Sequence, residues 1–537
     1  MLFNSYTFIF VFLPVALVGF YLAARLSRRA AVAWLVLCSF GFYAWWNAHF
    51  VLLLAGSIAF NYTCSRLIAA IDQDRARLRG GVLAAGIAAN LLLLCFYKYL
   101  FPLLDFLDLT GSLPPSWAGG VILPLGISFF TFTQIGYLID AKEGLGRDHG
   151  PLDYMLFVTF FPHLIAGPIL HNREIIPQFA NPATYRFRPE NLSLGLSLFA
   201  IGLFKKVVIA DPLGQIIDPG FASPAALGTF GAWQTALGYS MQLYFDFSGY
   251  CDMAIGIARM FGVRFPLNFD SPYKARSVID FWQRWHMTLT RYLTLYIYNP
   301  IALAITRRRM ARGLGVSRQA TRTLGGFSAT IALPVLITMA LAGVWHGAGL
   351  QFIVFGLLHA LYLSVNHAWR VFGPRPRKGV APRRTTVVAC VLLTYLSVLL
   401  AQIFFRAGSV GEAGALIGGM LGLHPVASAI LVPARLLDWS HGLLGPLARH
   451  GLVVASATAY DLKAWTRIVL AFAIVWSLPN SQQILASHAP ALGTIKPSAI
   501  RLLTWQPNAG WGVAVAALLL ASLFNLDNVT RFLYFQF

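Results

Sequence analysis

Acidic residues are scarce in this chain: 20 Asp and Glu stand against 41 Lys and Arg among 537 residues, and all charged residues together make up only 11%. A soluble domain ordinarily carries about a quarter charged residues, so a water-soluble fold is excluded. No stretch is polar for long enough to fold as a separate soluble domain, and no internal repeat is evident. The missing repeat argues against the duplicated halves from which many secondary transporters are built. Cysteine is also sparse. Cys38, Cys64, Cys95, Cys251 and Cys390 all lie in apolar contexts without CxxC spacing. Buried free cysteine behaves as a small hydrophobe, so no disulfide, metal or redox role is assigned. The opening MLFNSYTFIFVFLPVALVGF has neither a basic leader nor a small-residue cleavage site, and reads as a retained first span.

What is abundant is apolar sequence, at 57% hydrophobic and 14% aromatic. Charge-poor runs recur at residues 6–24, 31–46, 81–94, 121–139, 323–345, 349–365 and 386–404. With about 20 residues needed per crossing, the chain is predicted to contain roughly ten to twelve spans. Lipid forces backbone groups to be satisfied internally, so the spans are helices. The expected fold is an all-α polytopic membrane protein with additional re-entrant helices, residues 1–537 forming a single integral-membrane domain. Residues 407–465, mixed in polarity and rich in Gly and Pro, are expected to form short surface or re-entrant helices.

The net charge of +21 does not indicate nucleic-acid binding, because the basic residues sit in short loops between apolar runs. Arg25/Arg28/Arg29, Arg75/Arg77/Arg79, Arg307–Arg309 with Arg312, Arg318 and Arg322, and the 370–384 cluster follow the positive-inside pattern. These loops are expected on the cytoplasmic side, facing anionic lipid, with the N-terminus on the outer side.

Two stretches depart from plain spans. DYMLFVTFFPHLIAGPILHNREIIPQF carries Pro162, Gly167 and Pro168 within its apolar core, and such irregular backbone is tolerated at depth only when shielded by protein or lining a cavity. SVIDFWQRWHMTLTRYLTLYIYNP is an aromatic stretch interrupted by Asp280, Arg284, His286 and Arg291. Read as one helix, it places Trp282, His286 and Thr290 on a common face. Both stretches are expected to be re-entrant or cavity-lining.

The sharpest candidate is His346, in ALAGVWHGAGLQFIVFGLLHALYLSVNHAW, a stretch without Asp, Glu, Lys or Arg. As one helix, residues 323–369 would run about 70 Å at ~1.5 Å per residue, so they must cross and return, with Gly343, Gly347 and Gly349 near the turn. An imidazole there serves either as a general base near neutral pH or as a hydrogen-bonding link between helices. His286 stands between a similar pair of readings, site residue or interfacial aromatic belt. Asp246, Ser248 and Asp252, with Arg284 and His163, are candidates for lining the same cavity or pairing buried charge there. His359 and His367 default to packing or interface roles, and no metal site is expected because no third ligand accompanies them.

With these residues in view, the chain resembles the membrane-bound O-acyltransferase superfamily, in particular its alginate O-acetyltransferase-like branch. The matching motifs are LPLGISFFTFTQIGYLID, FVTFFPHLIAGPIL, GLFKKVVIAD, YFDFSGYCDMAIGIARMFGVRFPLNFDSPY, SVIDFWQRWHMTLTRYL, LAGVWHGAG and the terminal FLYFQF. Where relatives commonly carry a DYLYIPLGG-type stretch, this chain reads LYIYNPIALAITRRR. The resemblance implies a ring of helices around a funnel, with His346 catalytic and His286 the second implicated position. Trp345, Trp282, Asp246, Ser248, Asp252, Arg284 and His163 are then funnel-lining candidates. It further implies transfer of an acyl group, usually acetyl, from a cytoplasmic donor such as acetyl-CoA or another acyl-CoA. The acceptor is a hydroxyl of an extracytoplasmic polysaccharide, reached directly or through a separate extracytoplasmic acetyltransferase, and the location is a bacterial inner membrane. D-alanylation of teichoic acid and O-acetylation of peptidoglycan are alternatives on the same fold. A polysaccharide or lipid transporter is the alternative from another class.

Overall fold

The structure is a computed structural model describing residues 1–109, 122–145, 149–374, 382–424, 428–432, 452–456, 459–526 and 532–533. The connectors within 110–119, 146–148 and 375–381, and motif residues 534–537, lie outside the described residues. The architecture is all-α, and the chain is a multi-pass membrane protein. Among the described residues seven helices are long and apolar enough to cross a bilayer. They are Phe8–Leu26, His49–Ala70, Ala76–Lys98, Pro189–Ala222, Leu324–His346, Leu350–Phe372 and Arg384–Arg406. Runs 31–46 and 121–139 instead form the shorter helices Arg28–Ala44 and Ile127–Lys142. The second of these is buried along nearly its whole length, so its apolar residues meet protein and not lipid.

The chain divides into two compact units. The first comprises Met1–Val207, Phe247–Asn268 and Ser481–Phe537. Its helices are joined by buried amides, the bundle's substitute for water-satisfied polar groups. Asn61 and Asn90 exchange hydrogen bonds at 3.1 and 2.7 Å, while Gln134 donates to Ser57 Oγ at 2.9 Å and accepts from Tyr154 at 3.2 Å. Gly202 and Gly249 let two helices touch backbone to backbone, since a Cβ at Gly202 would lie 2.6 Å from the Gly249 carbonyl. The first broken stretch is here: helix Pro151–Thr159, the short Phe161–Leu164, then irregular backbone before Asn172–Ala180. Every residue from 156 to 170 is buried. Gly167 turns the chain with φ of 110°, a left-handed conformation that a side chain would strain.

The second unit comprises Val208–Asp246 and Phe269–Asn480. Leu324–His346 and Leu350–Phe372 form an antiparallel hairpin, and Arg384–Arg406 packs on its second helix. Pro334 lies inside Leu324–His346 just after a π-helical turn, Ser328–Ala332, a local irregularity of the kind that accompanies a residue without an N–H. The hairpin closes on glycine. A Cβ at Gly343 would lie 2.3 Å from the Phe352 carbonyl, and one at Gly356 would lie 2.3 Å from the Met339 carbonyl. The Arg322 guanidinium Nε donates to the Val371 carbonyl at 3.3 Å, so Arg322 and Arg370 share the end of the hairpin opposite His346. Residues 407–465 depart in part from the expectation of short helices. Helix Val410–Met420 forms, but Ser428–Val432 and Leu452–Ser456 pair as parallel strands, consistent with their content of branched aliphatic residues.

Candidate active site

His346 is the last residue of its helix, and Gly347 leaves in extended backbone. Its imidazole is only 4% exposed. The rings of Trp345, Phe405 and Phe355 lie against it, with centroids 4.7, 5.0 and 5.8 Å away. Phe355 comes from the returning helix and Phe405 from Arg384–Arg406. Phe355 reaches His346 because the glycine seam holds the hairpin closed just below the turn.

The second broken stretch is not one helix. Val278–Trp282 ends in a turn, and Met287–Leu293 begins after His286, whose φ is 43°. The expected common face of Trp282, His286 and Thr290 therefore does not exist, because the backbone reverses its handedness between them. A non-glycine residue held in this region costs about 1–3 kcal/mol and persists only where its surroundings impose it. Arg284 is one such constraint. Its Nε donates to Asp280 Oδ1 at 2.7 Å and its Nη1 to the Asp270 carbonyl at 3.2 Å. The Asp270 amide returns a bond to the Arg284 carbonyl at 2.9 Å. Thr290 Oγ1 donates to the Trp282 carbonyl at 3.0 Å. His286 is fully buried and lies outside the seven apolar spans, and desolvation pushes its pKa down to about 3, so the ring is neutral.

The second unit thus holds His346, Trp345, His286, Trp282, Arg284 and buried Asp246, whereas His163, Ser248 and Asp252 belong to the first. There, the buried Asp252 carboxylate pairs with Lys205 Nζ at 2.6 Å and accepts from Ser481 Oγ at 2.6 Å and Gln482 Nε2 at 2.9 Å. Ser248 Oγ, one turn before Asp252, is buried with no hydrogen-bond partner among the described residues. His163 Nε2 donates to the Phe157 carbonyl at 2.9 Å, and burial lowers its pKa to about 4. Among the described residues, no three of His, Cys, Asp and Glu converge as metal ligands.

The sequence alone singles out neither Lys205 nor the partner of His359. Lys205 lies in an apolar span, and that placement was the available signal for a buried pairing. His359 accepts a hydrogen bond at Nδ1 from Trp282 Nε1 at 3.2 Å, across a separation of 77 residues that no local pattern reveals.

A multi-pass helical protein that buries a caged imidazole at the end of an apolar hairpin, with a second neutral imidazole at a strained helix break, has the makings of a membrane-embedded group-transfer enzyme. Comparison with known proteins makes the class specific. The sequence profile of the membrane-bound O-acyltransferase family (MBOAT) matches residues 88–316, a range that includes His286 but ends before His346. A peptidoglycan O-acetyltransferase of Helicobacter pylori is 36% identical over 91% of this chain and 91% of its own length. A Pseudomonas aeruginosa protein named probable alginate O-acetylase AlgI is 34% identical over the full length of both chains. A teichoic acid D-alanyltransferase of Bacillus subtilis is 28% identical over 50% of this chain and 65% of its own. The chain belongs to the membrane-bound O-acyltransferase family. It is an acyltransferase, and the transporter alternative is set aside.

Proposed function

We propose that this acyltransferase moves acetyl groups from cytoplasmic acetyl-CoA, or another acyl-CoA, towards hydroxyls of an extracytoplasmic polysaccharide of the alginate or cellulose type, with His346 as the catalytic residue. In this reading residues 1–537 act as one integral-membrane catalytic domain, in keeping with full-length similarity to the P. aeruginosa relative. The position of His346 carries the proposal. It is a buried imidazole at the end of the hairpin opposite Arg322 and Arg370. The two helices, each 23 residues, are about 34 Å long at ~1.5 Å per residue, close to the thickness of a bilayer core. With the arginine end facing the cytoplasm, His346 lies on the outward half, towards an acceptor polymer.

The chemistry follows from a buried imidazole among aromatic rings. The imidazole takes the proton of the attacking hydroxyl while its oxygen bonds to the thioester carbonyl carbon. The carbon–sulfur bond then breaks, and the departing thiolate recovers the proton from the imidazolium. A backbone N–H of the 347–349 turn, or His286, serves the oxyanion, and exclusion of water strengthens that hydrogen bond. A separate extracytoplasmic acetyltransferase can stand between this first acceptor hydroxyl and the polymer.

The 36% identity to the H. pylori relative supports a second acceptor for the same reaction, peptidoglycan. D-alanyl transfer to teichoic acid has the narrower support of a match to half of the chain. The test is His346→Ala in a strain lacking the native gene, with alkali-released acetate measured separately in exopolysaccharide and sacculi. Loss of polymer acetate, with the protein still accumulating in the membrane, is expected. Loss confined to the sacculi moves the acceptor to peptidoglycan, and undiminished acetylation removes His346 from the reaction.

A further inference from the structure

His359 takes no part in the proposed proton transfer, yet its surroundings are specific. The residue is 1% exposed. An indole N–H can only donate, so the 3.2 Å bond from Trp282 fixes a lone pair on His359 Nδ1. The neutral ring then carries its proton on Nε2, and Nδ1 is not free to act as a base. The ring lies parallel to Phe281 at 6.4 Å and meets the edges of Trp282 at 5.0 Å and Phe355 at 4.7 Å. Phe355 in turn lies edge-on to His346 at 5.8 Å. A single phenyl ring therefore separates His359 from His346.

The other direction leads to His286. Trp282 ends the short helix that precedes the break, and its carbonyl is held by Thr290 on the far side of His286. That short helix docks on Leu350–Phe372 through two polar bonds two turns apart. The Ile279 amide donates to Asn366 Oδ1 at 3.3 Å, and the Trp282 indole donates to His359. His359 is the point at which the helix carrying Phe355 and the segment carrying His286 are joined side chain to side chain.

We propose that His359 is a positioning residue: by accepting from Trp282 and packing on Phe355, it holds the His286 break and the His346 cage in one mutual arrangement. The inference rests on the proposed role of the His346 site, and acts on it through geometry and not through proton transfer. The side-chain oxygen of asparagine falls near the position of Nδ1, so His359→Asn keeps the acceptor. His359→Phe keeps the packing and removes it, and Trp282→Phe removes the donor.

The test measures the initial rate of O-acyl ester appearance in cell-envelope polymers, per molecule of tagged full-length protein, in a strain lacking the native gene. His359→Phe and Trp282→Phe are each expected to lose about 10- to 100-fold, the cost of an ångström-scale misplacement. The double variant is expected to be no worse than either single, because both remove one interaction. His359→Asn is expected to recover most of the rate. The proposal is overturned by a fully active His359→Phe, by losses that add in the double variant, or by a His359→Asn as inactive as His346→Ala. It is equally overturned if the losses appear only as reduced protein with normal turnover per molecule, which is a purely structural role. An active His346→Ala would remove the base and leave the Trp282–His359 cycle readable on its own.

Discussion

The backbone breaks at 160–171 and 283–286 both interrupt apolar helices and both bury a histidine, yet the two imidazoles are held in different ways. His163 gives its Nε2 proton to the carbonyl of Phe157, six residues earlier in the same segment. Its break is tied to a neighbouring helix through backbone, the Phe161 amide donating to Ser39 Oγ at 3.2 Å, with Gly167 supplying the left-handed turn. The His286 break is tied through side chains: Arg284 to Asp280 in its own segment and to the Asp270 carbonyl, and Trp282 to His359 on a distant helix. A histidine that satisfies its own segment is a strut. One whose strained backbone is held by side chains from several segments fits the part given to His286 in the proposed reaction.

This contrast can be broken at several points. The largest effect is expected from His286→Asn, because asparagine tolerates left-handed backbone but has no imidazole. Polymer acylation per molecule should fall about 100-fold, the scale of losing a proton-transfer or hydrogen-bonding group in a transition state, while the protein accumulates normally. Near-normal acylation would make His286 a backbone device only. Arg284→Met should come next, with about a 10-fold loss from misplacement of the break, measured in the same assay. Gly167→Ala should act on stability instead. It forces a side chain into φ of 110° and towards Tyr250 at 3.2 Å, costing about 1–3 kcal/mol, seen as a lower thermal midpoint in detergent. His163→Phe should likewise act on stability alone, by about 1–3 kcal/mol at most, for the Phe157 carbonyl left without its donor. Turnover per surviving molecule should be unchanged, and a large loss there would erase the distinction between the two breaks.

The hairpin and the break around Pro162, Gly167 and Pro168 were legible in the sequence, because glycine and proline stand out against apolar runs. The aromatic cage was legible only in part. Trp345 adjoins His346, but Phe355 and Phe405 reach it through packing between helices. The helical face assigned to Trp282, His286 and Thr290 failed because nothing in RWHM announces a left-handed histidine; the constraint comes from Asp270 and His359. Lys205 was visible as a charge in an apolar span, but its partner lies 47 residues away on another helix. Periodicity describes which way a helix faces, and not which side chain of another helix it will meet.

The glycine seam of the hairpin has a consequence for how the position of His346 is counted. The imidazole lies three residues past Gly343, less than one helical turn. One residue inserted between them would swing the ring by about 100° around the helix axis, out of its aromatic enclosure. The same insertion near Leu324 would be absorbed by the loop at the arginine end, leaving the seam in register. The length of the loop at the arginine end is therefore free to vary, whereas the position of His346 is written in the last three residues of its helix.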